Sequence, residues 1–214
     1  MKKDNSSFTF NNLHIYSHTE VYNPAEDTFL LLESIDISKQ DTVFEIGTGC
    51  GIIALYCAQK GAKVLCSDIN PYAIDLVKKS YKHNKEKIKG SLEIRKGSLF
   101  DVLRIHEQFS LIVFNPPYLP TSENEIIGGS GWFDKAVSGG KTGLEITNKF
   151  LSKLSDHLVD DGRAFIIFCS NSPKEIFNKT VEKNALKNTL MATQSYTDER
   201  IEVHKITKKK KTNG

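Results

Sequence analysis

Short apolar runs recur along this chain, separated by longer amphipathic segments, and that alternation constrains the fold more than any other feature. The runs span Thr42–Ile46 and residues 63–67, 92–96, 110–115 and 163–169. All except 92–96 are almost continuously apolar, as parallel strands buried on both faces are. Between the runs, Ile52–Gln59 and residues 71–84 and 147–157 carry helical patterning. Tyr72 to Val77 shows an apolar stripe, and Asn70 with Pro71 supplies an N-cap and a first turn. Strand, helix, strand, repeated in this way, predicts a parallel sheet with helices on both faces. Residues 185–195 and 200–207 read as a closing antiparallel pair, and 119–143 reads as one long loop.

At 214 residues the chain has the length of one sizeable α/β domain and is too short for two full ones. The expected division is an extension at 1–20, the domain at 21–207 and a disordered basic tail at 208–214. The formal net charge is +3, yet Lys208, Lys209, Lys210 and Lys211 contribute four positive charges, so the body is close to neutral. A large duplex footprint, which needs a basic face, is not supported. Cys50, Cys57, Cys66 and Cys169 are scattered without a Cys-x-x-Cys pair, which predicts free thiols in a reducing compartment and no structural zinc. His14 and His18 have no acidic or cysteine partner close by and read as surface residues, so no metal site is expected. The start of the chain lacks the apolar core of a signal peptide, and no apolar run approaches the ~20 residues of a membrane span. The expected location is the cytoplasm. Gly140-Lys141-Thr142 looks like the end of a phosphate-binding loop, but Lys135 stands where its first glycine belongs and no strand precedes it.

Glu45-Ile46-Gly47-Thr48-Gly49-Cys50-Gly51 follows an apolar strand and opens a helix. Glycines at such a turn, Gly47 and Gly49 above all, let a ligand approach the backbone at the positive helix N-terminus. Taken alone the pattern is weak, because many nucleotide-binding folds share it. Asp68 sharpens it: about twenty residues on, at the end of the next strand, a carboxylate can take both ribose hydroxyls of a nucleoside. Glu45 at the first strand end favours a cationic amino-acid moiety over a pyrophosphate. The pair predicts an adenosine-type cofactor.

Asn115-Pro116-Pro117-Tyr118 stands at the carboxyl end of the fourth strand, on the ligand edge of an open α/β sheet. Two successive prolines donate no backbone hydrogen bond and hold the chain extended, so their carbonyls point predictably. The Asn115 side-chain oxygen and the Pro116 carbonyl can each accept one hydrogen of a target NH2 group, and Tyr118 can pack on its flat face. Such an arrangement suits a conjugated amine or amide, whose nitrogen is held in line for transfer by positioning and electrostatics.

With these residues in hand, the chain resembles the HemK/PrmC group of glutamine methyltransferases, most closely the short archaeal and eukaryotic branch. The resemblance runs from about Val21 to Phe168. It rests on the run from Val21 to Leu32 (Val-Tyr-Asn-Pro-Ala-Glu-Asp-Thr-Phe-Leu-Leu-Leu), on Glu45 to Gly51, on Asp68-Ile69-Asn70-Pro71 and on Asn115 to Tyr118. Asp134-Lys135-Ala136 followed by Gly139, Gly140 and Gly143 also fits. It implies a Rossmann-like class I methyltransferase fold, an α/β three-layer sandwich with a mostly parallel seven-stranded sheet. It implies S-adenosyl-L-methionine as cofactor, with contacts from Thr28, Glu45, Gly47, Asp68, Ser98, Leu99 and Asn115. The implied catalytic residues are Asn115, Pro116 and Tyr118, with Pro117 completing the substrate contacts. The implied substrate is the glutamine of the Gly-Gly-Gln loop of a class I release factor. The implied partner is a small zinc-binding activator docked on the edge strand near Leu92, Glu93, Ile94 and Arg95. One departure stands out: Ser98 occupies a position where the group usually has an acid, so any bond to the adenine amine lacks charge assistance. Asn-Pro-Pro-Tyr also occurs in adenine methyltransferases of RNA and DNA, which are the main alternative. A lysine substrate and a non-catalytic cofactor-binding scaffold are weaker ones.

Overall fold

Side chains along the central strands alternate between two apolar layers, and this places the sheet in the middle of the molecule. The computed structural model describes residues 5–122 and 131–210. Val43, Val64, Leu111, Val113 and Phe165 face one layer, whereas Phe44, Ile46, Leu65, Ile112 and Ile166 face the other. Both sets are nearly free of solvent contact, which is why these strands read as unbroken apolar runs. The strands are β3 (Thr42–Ile46), β4 (Lys63–Asp68), β5 (Ser91–Lys96), β6 (Phe109–Phe114), β7 (Leu158–Cys169), β8 (Leu186–Ser195) and β9 (Arg200–Lys208). They form one seven-stranded sheet in the order β5-β4-β3-β6-β7-β9-β8. The pairs from β5 to β7 are parallel, and β9 is antiparallel to both β7 and β8, as the expected closing pair requires.

One face of the sheet is covered by α1 (Glu26–Ser34), α2 (Ile52–Gln59) and α3 (Pro71–His83), the other by α5 (Glu145–His157) and α6 (Lys174–Lys183). The sandwich therefore has three layers. Asn70 caps α3 as its position predicts: the side-chain oxygen accepts from the Tyr72 N–H at 2.9 Å, and its NH2 group donates to the Glu20 carbonyl at 2.7 Å. Gly51 opens α2 at φ +82°, and a Cβ there would stand 2.7 Å from Cγ2 of Val77, so the turn can pack on α3 only if it carries no side chain. Gly140-Lys141-Thr142 is the entry to α5. The Glu145 carboxylate accepts from the Thr142 N–H at 3.0 Å and from the Leu144 N–H at 3.2 Å, holding the turn that leads into that helix, which accounts for the residues without any phosphate site.

Three stretches differ from the reading of the sequence, one of them α6, where no helix was expected. Residues 5–18 fold into a hairpin, β1 (Asn5–Phe10) and β2 (Leu13–His18), joined through Asn11 and Asn12 at φ +45° and +63°. Its Leu13 and Ile15 are fully buried in the layer beneath α2 and α3. Asn84 and Ser80 of the α3 end bond the backbone of His14 and Tyr16, so this stretch belongs to the packed body. His14 and His18 lie on its outer face, stacked on His83 and Tyr72. The expected single loop at 119–143 is also corrected: it contains a helix, α4 (Gly131–Val137), and a bridge between Leu119 and Ser138. Gly128, Gly129 and Ser130 of that stretch and Lys211 of the tail lie outside the described residues. Among the described residues no helix is long and apolar enough to cross a membrane, and no group of three His, Cys, Asp or Glu side chains could hold a metal ion.

Candidate active site

The ends of β3, β4 and β6 and the turn after β5 converge where the sheet reverses its winding, the place at which open α/β sheets bind ligands. They enclose a cavity of about 630 Å³, within the range of small-molecule sites. Every candidate site residue singled out from the sequence lines it: Thr28 from α1; Glu45 in β3 with Gly47 and Gly49 after it; Asp68 at the end of β4; Ser98 and Leu99 after β5; Asn115, Pro116, Pro117 and Tyr118 after β6.

On the β3 side, Gly47 adopts φ +65°, a conformation costly for any residue with a Cβ. The Asp68 carboxylate is anchored on both oxygens, accepting from the Gly49 N–H at 2.9 Å and the Asn70 N–H at 2.8 Å. Burial holds its protonation above the usual carboxylate range, the three backbone N–H groups around it acting in the opposite direction. Ile69, half exposed, offers an apolar face to the same cavity. Ser98 is exposed at the rim, and Leu99 takes φ +44°, which a bulky residue adopts only when its surroundings enforce it. Glu45 differs from its sequence reading in one respect. Its Oε2 accepts from Thr48 Oγ1 at 2.5 Å and from the Ala54 N–H at 3.0 Å, so it also satisfies the start of α2. Full burial pushes this carboxyl up to about 8.

On the β6 side the side chains are tied together by a residue to which the sequence reading gave no role. Asp27, buried in the first turn of α1, accepts five hydrogen bonds. Its Oδ1 takes Thr28 N–H at 2.6 Å, Thr28 Oγ1 at 3.2 Å and the Tyr22 hydroxyl at 3.3 Å. Its Oδ2 takes Asn115 Nδ2 at 3.0 Å and the Tyr118 hydroxyl at 3.2 Å. The Tyr22 and Tyr118 phenols are raised by burial first and by the Asp27 charge second, so both stay protonated donors. Among the described residues, Asn115 Oδ1 is buried with no hydrogen-bond partner. An acid in the first turn of a helix reads from sequence as a complement to the helix dipole, and only the cross-chain contacts reveal more. Tyr22 and, from α4, Trp132, Phe133 and Lys135 complete the wall; the Lys135 ammonium lies 4.6 Å from the Trp132 ring centre. Cys50 also lines the cavity as a free thiol, pushed up to about 12 by burial, which disfavours its thiolate form at neutral pH.

The model of the methyltransferase small domain family matches residues 8–130. The chain belongs to that family. Within it, this methyltransferase is 42% identical over 164 residues to a Methanocaldococcus jannaschii protein whose name assigns it to protein N5-glutamine methyltransferases. That match covers 76% of this chain and 79% of the relative. Human methyltransferase HEMK2 is 32% identical over 200 residues, covering 89% of this chain and 91% of its own. Among solved structures, the E. cuniculi Mtq2-Trm112 complex, described as responsible for methylation of the eRF1 termination factor, superposes with a TM-score of 0.64 at 20% identity. It covers 89% of this chain and 99% of the matched one, and the likeness shows a shared class I fold. The family is HemK/PrmC, as the motifs imply.

S-adenosylmethionine is the cofactor of this methyltransferase. The cavity fits it on its own evidence. Gly47 and Gly49 present backbone without side chains, the Asp68 carboxylate is fixed for hydroxyl groups, and Ile69 and Leu99 offer apolar faces to a flat ring. Thr28 and Asn115 line the same cavity, and Asp27 is bonded to both.

Proposed function

We propose that this methyltransferase methylates the side-chain amide nitrogen of the glutamine in the Gly-Gly-Gln loop of a class I release factor. The observation that carries the reading is Asn115 Oδ1, a buried acceptor without a partner among the described residues, in the segment after β6 that lines the cavity. A buried unsatisfied oxygen costs about 1–3 kcal/mol, and a ligand N–H removes that cost. S-adenosylmethionine supplies the electrophilic methyl group when bound. Asn115 Oδ1 and the Pro116 carbonyl accept the two hydrogens of the target NH2, as the rigid Pro116-Pro117 step allows. Tyr118, its hydroxyl tied back to Asp27, lays its ring along the amide plane. Thr28, Glu45, Gly47, Gly49, Asp68, Ser98 and Leu99 hold the cofactor. Acceptors and orientation suffice for a nitrogen that already carries a delocalised lone pair, so positioning supplies the rate.

The chain works as the catalytic subunit of a heterodimer with a small zinc-binding activator. Among the described residues β5 pairs with β4 alone, so its outer edge offers backbone groups to another chain. Ile88, Leu92 and Ile94 pack half-buried beside that edge, and Arg95 is tied to Glu93 and Glu107. The name of the Mtq2-Trm112 structure supports such a partner. To test the function, the chain, alone and with its activator, is incubated with cofactor labelled in the methyl group and offered a release factor and a pool of RNA. Label in the release factor is expected; label in the RNA alone would favour the adenine reading and overturn this one.

A further inference from the structure

Asn115 can serve as an acceptor only if its amide is turned the right way, and nothing in the Asn115-Pro116-Pro117-Tyr118 motif itself decides which way that is. An asparagine side chain rotated by 180° would put its NH2 group, two donors, where a substrate NH2 must be received. We propose that Asp27 is the positioning residue that sets this orientation. Its carboxylate can only accept, and its Oδ2 lies 3.0 Å from Asn115 Nδ2. In the opposite orientation two oxygens would face each other at that distance, while the NH2 group lost its partner. The carboxylate is itself immobile: Thr28 N–H, Thr28 Oγ1 and the Tyr22 hydroxyl hold Oδ1, and the Tyr118 hydroxyl shares Oδ2 with Asn115. One buried acid on α1 thereby couples three things: the Thr28 hydroxyl in the cofactor half, the amide orientation of Asn115 after β6, and the ring position of Tyr118. The inference rests on the proposed role of Asn115 as acceptor for the reacting nitrogen.

The informative change is Asp27→Asn, which keeps size and shape and can still accept from Thr28. Its amide group can turn toward Asn115, which frees the latter to flip. The full chain, with its activator where turnover needs it, is compared in four forms: wild type, Asp27→Asn, Asn115→Ala and the double variant. Asn115→Ala should lower kcat by ~100-fold, the loss seen when one positioned hydrogen bond is removed from a dry site. Asp27→Asn should lower kcat, by no more than Asn115→Ala does, while cofactor Kd by calorimetry stays close to that of wild type because the new amide oxygen still accepts from Thr28. Because Asp27 acts through Asn115, the double variant should turn over no more slowly than Asn115→Ala. Multiplying losses would show that Asp27 acts through Thr28 or Tyr118 and not through Asn115, which would overturn the proposal, and so would near-wild-type turnover of Asp27→Asn. Near-normal turnover of Asn115→Ala would instead sink the site reading beneath it. A readout independent of turnover is the side-chain amide pair of Asn115 in a ¹⁵N-correlated spectrum of the wild-type protein, assigned by its disappearance in Asn115→Ala. One proton shifted downfield and slow to exchange is expected, and a pair with solvent-like shifts and fast exchange would contradict the hydrogen bond to Asp27.

Discussion

Asn115 offers one side of its amide to a buried carboxylate and the other to the cavity, and the acids around it are held by different forces. Asp68 is pinned by backbone N–H groups at the start of α3 and at the glycine turn, so its oxygens are fixed before a ligand arrives. Asp68→Ala should weaken S-adenosylmethionine binding by about 1.5–3 kcal/mol, the worth of hydrogen bonds to a charged acceptor. Calorimetry showing unchanged affinity would remove Asp68 from the ribose site. Glu45 has a different consequence. Burial lifts its carboxyl from 4.5 to about 8, so between those limits the folded chain keeps a proton that the unfolded chain has lost. Raising the pH through this window therefore favours unfolding. The thermal midpoint of the ligand-free chain should fall from pH 5 to pH 8, and Asp68, also raised, adds to the fall with the same sign. Glu45→Gln should flatten most of the slope; an unchanged slope would show that the group is ionised throughout.

At the scale of elements, the glycine turn between β3 and α2 couples the site to the stability of the fold. Gly51→Ala places a Cβ 2.7 Å from Val77 Cγ2 at φ +82°, so both the steric and the conformational cost apply. A loss of about 1–3 kcal/mol is expected, read as a lower midpoint in a denaturant titration with unchanged slope. Midpoints that coincide would mean that α2 and α3 move apart freely. The same turn explains what the sequence disclosed. β3 and α2 were legible to the residue because a fully buried strand leads into a glycine-flanked helix. The β1-β2 hairpin was not: its signal is Asn11-Asn12 between alternating residues, and the outward His14, Tyr16 and His18 hide the buried Leu13 and Ile15. Helix α6 keeps only Phe177 and Val181 buried, too sparse a stripe to register, and α4 has seven residues, too few to show a period. That the residues picked from the motifs would share one cavity was legible because the motifs lie at strand ends on one edge of the sheet. Asp27 was not, because its meaning lies in contacts to residues 88 and 91 positions away.

For the whole molecule, one sheet brings the turns after β3, β4 and β5 and the segment from Asn115 to Tyr118 to a single cavity, while among the described residues the outer edge of β5 is unpaired. The activator proposed for that edge would leave the mouth of the cavity open to a substrate, and the near-neutral body argues for a protein target over a duplex. The central claim is that the methyl group goes to a glutamine side-chain amide. Fragment-ion mass spectrometry of a Gly-Gly-Gln release-factor domain, after incubation with the chain, its activator and methyl-labelled cofactor, locates that group directly. A single added methyl on the glutamine amide is the predicted result, lost in Asn115→Ala and absent when the loop reads Gly-Gly-Ala. A methyl group on any other residue, or an unmodified loop beside labelled RNA, would contradict it.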